Sequence, residues 1–192
     1  MEKRISYAGR RIKTQEMVLC GVFTTLIAVG AFIKIPIPAL PFTMQMFFTM
    51  LAGLLLGGRL GALSVGVYIL LGLVGLPVFT EGGGFWYIIN PRFGYLLGYL
   101  LGTYVTGSLA ERKNKLLTRQ VIALNFLNLF IIFAVGLVYH YVICNYVIET
   151  PVTVGFLFWY CFIMLLPGDI VQCILAAILT VKVKPIMEKM RS

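Results

Sequence analysis

Charge is scarce in this sequence of 192 residues: only 12% are Asp, Glu, Lys or Arg, seven of them acidic, and His140 is the one histidine. A soluble domain carries about 25% charged residues, so half the usual polar surface is missing. With 60% of the chain hydrophobic, no water-soluble fold has enough polar surface to cover it. The lone histidine leaves no paired metal ligands, and there is no HExxH motif and no Ser/His/Asp set. An enzyme is therefore not expected, nor a bound metal or cofactor, and His140 reads as a packing or interfacial residue. Gly82-Gly83-Gly84 has no Lys-Ser/Thr after it and no strand before it. It is not a phosphate loop, so the chain does not drive anything with ATP by itself. Cys20, Cys144, Cys161 and Cys173 lie in apolar stretches without a CxxC pair and read as small packing residues. The basic segment Met1 to Lys13 precedes an apolar stretch that lacks a small-residue cleavage site, so a retained first helix is expected rather than a signal peptide.

What the chain has instead is a series of long apolar runs. Crossing ~30 Å of hydrocarbon takes roughly 17–25 mostly apolar residues. The runs predict one all-α membrane domain over residues 1–192, with six transmembrane helices near 17–33, 42–58, 60–76, 93–109, 121–147 and 154–181. The breaks have causes. Pro36, Pro38 and Pro41 cannot sit in a helix interior, Gly57-Gly58-Arg59 parts the second and third runs, and Pro77 to Pro91 is a glycine- and aromatic-rich connection. The sixth run is interrupted at Pro167-Gly168-Asp169.

Lysine and arginine set the orientation. With both termini in the cytoplasm, the inner segments hold Lys3, Arg4, Arg10, Arg11, Lys13, Arg59, Arg112, Lys113, Lys115, Arg119, Lys182, Lys184, Lys189 and Arg191. Of the 16 basic residues only Lys34 and Arg92 fall outside, as the positive-inside rule requires. The net charge of +9 thus belongs to topology and anionic lipid, and nucleic-acid binding is excluded.

Ionisable groups at membrane depth are costly and mark cavities or partners. Lys34, Glu81, Arg92 and Asp169 stand out, with Gln45, Asn90 and Gln172 as neutral polar groups. Asp169 falls near mid-depth beside a helix-breaking Pro-Gly, a pattern tolerated where backbone lines a cavity. It reads as a ligand-binding carboxylate or as a partner of Arg92 that ties helices together. Phe79, Phe85, Trp86 and Tyr87 flank the glycine triplet and read either as pocket walls or as an interfacial belt. Cys20, Thr24 and Ala28 recur four apart in the first span, suited to close packing within the chain or to docking another membrane subunit.

Longer patterns resemble a known family. They are Pro41-Phe42-Thr43-Met44-Gln45, the run Leu51 to Ser64 that contains Gly57-Gly58-Arg59-Leu60-Gly61, Tyr68, Gly72 to Phe79, the glycine triplet, Gly94-Tyr95-Leu96-Leu97-Gly98 and Pro167-Gly168-Asp169. Over roughly residues 15–183 these resemble the BioY family, the biotin-specific substrate-binding subunits (S components) of energy-coupling factor (ECF) transporters. The resemblance implies the six-helix S-component fold and a bacterial cell-membrane location. It also implies an outward-facing biotin pocket, and partnership with a transmembrane coupling protein and two cytoplasmic ATPases. With biotin as the expected ligand, side-chain type and depth put Asp169 at the ureido N–H groups and Asn90 at the ureido oxygen or as an added acceptor. Arg92, then Lys34, falls to the carboxylate, Phe79, Trp86 and Tyr95 to the walls, and Gln45 to a further hydrogen bond. The loops at Pro36–Pro41 and Pro77–Pro91 become lids, and Cys20, Thr24 and Ala28 take the place of the family's docking alanines. The chain departs from the family pattern in Pro91-Arg92-Phe93-Gly94-Tyr95 and in Gln172, where many members have lysine. A binding subunit for another small vitamin and a self-sufficient carrier are the competing expectations.

Overall fold

The computed structural model describes residues 13–35, 42–113 and 116–191, with side chains as far as Met187. Lys3, Arg4, Arg10, Arg11, Lys115 and the proline loop of Pro36, Pro38 and Pro41 lie outside the described residues. Helix dominates: α1 Thr14–Phe32, α2 Gln45–Leu56, α3 Gly58–Leu73, α4 Phe93–Glu111 and α5 Thr118–Tyr146. A single turn, α6 Val154–Phe156, opens into a wide π-helical stretch, Leu157–Ile163, and α7 Leu166–Arg191 completes the chain.

The apolar runs predict these elements, but tertiary context moves their ends. The second run starts at Gln45 rather than at residue 42, because Phe42–Thr43 (β2) pairs antiparallel with Lys34–Ile35 (β1), Lys34 opposite Thr43. The third ends at Leu73, two residues before Gly75 turns the chain with φ 115°. At 1.5 Å per residue the 12-residue α2 is about 18 Å long, short of the ~30 Å hydrocarbon layer. Among the described residues, three helical stretches, Thr14–Phe32, Thr118–Tyr146 and Leu166–Met187, are long and apolar enough to cross a membrane. The sixth run is two pieces joined at Met164-Leu165, so the break precedes Pro167 and places it in the first turn of α7, where its missing N–H is harmless.

Glycine draws the helices together. Gly94, Gly98 and Gly102 recur four apart on α4 and face α5, where a methyl at Gly98 would come within 2.8 Å of the Ile132 Cα. In lipid, small residues at such spacing allow backbones to approach and gain dispersion contacts. Gly107 likewise meets the backbone of Gly53 and Gly58, which ties α4 to the α2–α3 corner. Polar side chains cross-link the same helices. Thr24 donates to the Ser64 carbonyl (3.0 Å), Thr103 to that of Thr49 (3.2 Å) and Asn125 to that of Cys173 (2.8 Å). Large apolar side chains, among them Phe130, Val138, Val171 and Leu175, stay exposed on the outside of this bundle, the surface that lipid covers.

Candidate functional site

The cavity sits where β2, α2, α4, α5 and α7 converge beneath the segment joining α3 to α4. That segment is built by its glycines. Gly82 and Gly84 take φ of 107° and 113°, a region closed to most side chains, and let Phe79 pair with Gly82 and the Gly84 N–H reach the Gly72 carbonyl at 2.7 Å. A 3-10 turn, Phe85–Ile89, then leads into α4.

Aromatic side chains form the walls. Phe79 and Tyr87 come from the segment, Phe42 from β2, Tyr95 and Tyr99 from α4, and Phe133 from α5. Three of these rings rest on glycines: Phe79 on Gly72, Tyr95 on Gly136 and Phe42 on Gly168, each so close that a methyl there would overlap the ring. Phe79 also meets Tyr68 edge-on at 5.5 Å and Tyr87 at 4.4 Å.

Two polar poles face this aromatic space. At the first, Asp169 is 5% exposed in the opening turn of α7, and among the described residues its carboxylate has no hydrogen-bond donor or cation. Among the described residues, the N-terminus of α7 is the compensation it is offered. Beside it, Gln45 donates to the Tyr68 hydroxyl (2.8 Å), which donates in turn to the Val78 carbonyl (3.0 Å), and the Thr43 hydroxyl approaches the Gln45 carbonyl oxygen at 3.4 Å. The second pole is Arg92, paired with Glu81. Asn90 braces that pair, donating to Glu81 (3.2 Å) while its carbonyl oxygen accepts from the Arg92 N–H (2.9 Å). Burial works against ionisation of Glu81, but hydrogen bonding and charge from Arg92, helped by Asn90 and Lys34, hold its carboxyl below the ordinary value.

Of the residues singled out in the sequence, Asp169, Arg92, Gln45, Phe79 and Tyr95 line the cavity, and Asn90, Trp86 and Lys34 do not. Trp86 is 80% exposed on the outer side of the 3-10 turn, which places it with the interfacial aromatics and not in a wall. Lys34 reaches across from β1 to the Thr80 carbonyl (2.8 Å). The reading in which Arg92 neutralises Asp169 is corrected, because Glu81 holds the guanidinium. Gln172 lies outside the lining: it accepts from the Phe47 N–H (2.9 Å) and donates to the Thr43 carbonyl (2.9 Å), clamping α2 to α7. Tyr87, read in the sequence as wall or belt, is a wall, and Phe42, Thr43, Tyr99 and Phe133 are lining residues that the sequence reading did not single out. Their signal was present in part, since Tyr99 is one helical turn beyond Tyr95.

Of the two readings of the α1 stripe, the contacts favour packing within the chain. Cys20 and Thr24 are buried and address the Leu60 and Ser64 carbonyls of α3, and Ala28 packs half-buried toward the same neighbour cluster. They serve packing within the chain; the small residues on the exposed face are Gly21 and Thr25.

The cavity holds about 50 Å³ of free space, against the ~300–1,000 Å³ of clefts that bury drug-sized ligands. In this conformation it is narrow, and its walls must part to bury a ligand of that size. Chemically it suits a small, mostly apolar molecule with N–H donors at the Asp169 end and an anionic group near Arg92.

Comparison with known proteins agrees with this architecture. A crystal structure of the S-component for biotin from an ECF-type ABC transporter superposes with a TM-score of 0.76, covering 91% of this chain and 95% of that one at 22% identity. The fold is therefore that of an S component. The BioY family model matches residues 1–189, and the chain belongs to the BioY family. A probable biotin transporter BioY of Lysinibacillus sphaericus is 41% identical over 179 residues, 93% of this chain and 91% of that protein. The biotin transporter BioY of Thermotoga maritima is 38% identical over 88% of this chain and 96% of its own length, and that of Rhizobium etli 32% over 88% and 92%.

Proposed function

We propose that this chain is the biotin-binding S component of an ECF transporter, capturing the vitamin outside the cell and releasing it inward with the help of partner ATPases. The observation that carries the reading is Asp169: a buried carboxylate with no partner among the described residues, at the end of an aromatic cavity, in a chain so like named biotin transporters. The ureido ring of biotin presents two N–H groups, and charge-assisted hydrogen bonds to a carboxylate contribute about 1.5–3 kcal/mol each. Gln45, with one amide hydrogen uncommitted, and Thr43 supply polar groups for the ureido oxygen. Phe79, Tyr87, Tyr95 and Tyr99 sandwich the apolar body, and Arg92 receives the carboxylate, sharing its charge with Glu81. Asn90 and Lys34 act on the lid rather than on the ligand.

In this reading residues 1–192 form one membrane domain of six spans, with α6, the π-helical stretch and α7 as one broken span and with both termini in the cytoplasm of a bacterial cell. Fourteen of the sixteen basic residues then fall inside, which supports the orientation. The partners are one transmembrane coupling protein and two cytoplasmic ATPases, with the docking face of α1 at Gly21 and Thr25. Equilibrium binding to the purified chain in detergent tests the ligand. Tight binding of biotin, with thiamine and riboflavin unbound, is the expected outcome; binding of another vitamin instead of biotin overturns it.

A further inference from the structure

The end of the bundle where α4 gives way to α5, far from the vitamin cavity, carries a second concave feature. It is a groove of about 550 Å³ lined by Lys113, just beyond α4, and by the first three turns of α5. Its polar end holds the exposed side chains of Lys113 and Arg119, and among the described residues neither has a carboxylate partner. The acidic residue nearest in sequence, Glu111, is turned away against Gly57. From there Leu117, Gln120, Leu124 and Leu127 recur three or four apart, so they form one stripe running up α5 toward the bilayer interior. In the middle of that stripe the Gln120 Oε1 is buried and, among the described residues, has no hydrogen-bond partner. A buried acceptor left empty costs about 1–3 kcal/mol, so an occupant that donates a hydrogen bond is favoured there.

Each of these features selects a property of the occupant. Two unneutralised cations beside the free N–H groups of a helix start favour an anion such as a phosphodiester. The leucine stripe requires an apolar tail lying along the helix, and the empty Gln120 acceptor requires a hydroxyl or N–H within the headgroup. We infer that this groove binds an anionic glycerophospholipid with a hydroxyl-bearing headgroup, phosphatidylglycerol being the simplest example, as a site of defined position and not as diffuse surface attraction. The inference stands apart from the vitamin reading and uses none of its residues.

Native mass spectrometry of the full chain in neutral detergent, titrated with phosphatidylglycerol, tests it. The unmodified chain is expected to bind phosphatidylglycerol in preference to phosphatidylcholine. Lys113→Gln with Arg119→Gln should weaken that binding about tenfold or more. Lys13→Gln with Lys182→Gln removes the same charge from other exposed positions and should leave it unchanged. Equal loss in both pairs, or loss in neither, overturns the proposal. Gln120→Leu should erase the preference for phosphatidylglycerol over phosphatidic acid, whose headgroup carries no such hydroxyl; an undiminished preference removes Gln120 from the site. A photoactivatable phosphatidylglycerol supplies the second measurement on the unmodified chain. Cross-links confined to residues 113–127 are expected, and cross-links only elsewhere overturn the assignment. Glycerophosphoglycerol, the headgroup without chains, should not compete at the lipid's concentration; if it does, the site belongs to a soluble phosphodiester and the lipid reading fails.

Discussion

Asp169 and Glu81 show how two carboxylates in one small chain come to different uses. Asp169 is buried at the cavity with its acceptor capacity unfilled, and Glu81 is half-exposed at the rim with its capacity filled by Arg92 and Asn90. If biotin's N–H groups complete Asp169, then Asp169→Asn should weaken biotin binding by roughly 10- to 100-fold, the loss of one charge-assisted bond. Isothermal titration of the folded variant measures this, and unchanged affinity takes Asp169 out of the site. Glu81 predicts a pH effect. Its folded-state carboxyl ionises below the ordinary range, so its contribution is present above the ordinary glutamate value and is lost as pH falls through the lowered folded value. Being half-exposed, the pair contributes only about 0–1 kcal/mol. Glu81→Gln should therefore leave thermal stability nearly unchanged while removing the acid-side loosening of the α3–α4 segment, which amide hydrogen exchange across residues 79–92 would follow.

At the scale of elements, glycine spacing explains why the helices sit where they do. Gly98 faces α5 backbone rather than a movable side chain, so Gly98→Ala should cost about 1–3 kcal/mol through overpacking. A fall in the melting temperature of the purified chain is the readout, and an unchanged midpoint would mean that α4 and α5 part without penalty. Gly21 on α1 is the contrasting case, since a side chain there meets open space within the chain. Gly21→Leu should preserve biotin binding by the isolated subunit and abolish uptake when the coupling protein and ATPases are co-produced. Preserved uptake would clear that face of any docking role. The stripe Cys20, Thr24 and Ala28 was visible in the sequence, but its rotation was not. A helix that is apolar all round carries no marker of which side meets lipid and which meets α3.

The molecule as a whole is a bundle whose outer apolar surface needs lipid, and its basic residues predict which end faces inward. Cysteines placed singly at Lys182 and at Glu149 in a background without the native four should label from opposite sides of sealed vesicles, Lys182 from the cytoplasmic side. Labelling from the same side would overturn the six-span arrangement. The class of the protein, its helical runs, the family pattern and the two charged residues that line the cavity, Asp169 and Arg92, were all legible in the sequence, because hydropathy, the placement of lysine and arginine, and rare charges at membrane depth are local or countable properties. The partner of Arg92, the exclusion of Trp86 and Lys34 from the cavity, the use of Gln172 as a clamp and the narrowness of the pocket were decided only by tertiary structure. Each depends on which groups from distant segments reach the same few ångströms, Gln172 and Phe47 being 125 residues apart, and a linear pattern of side-chain types does not encode that distance.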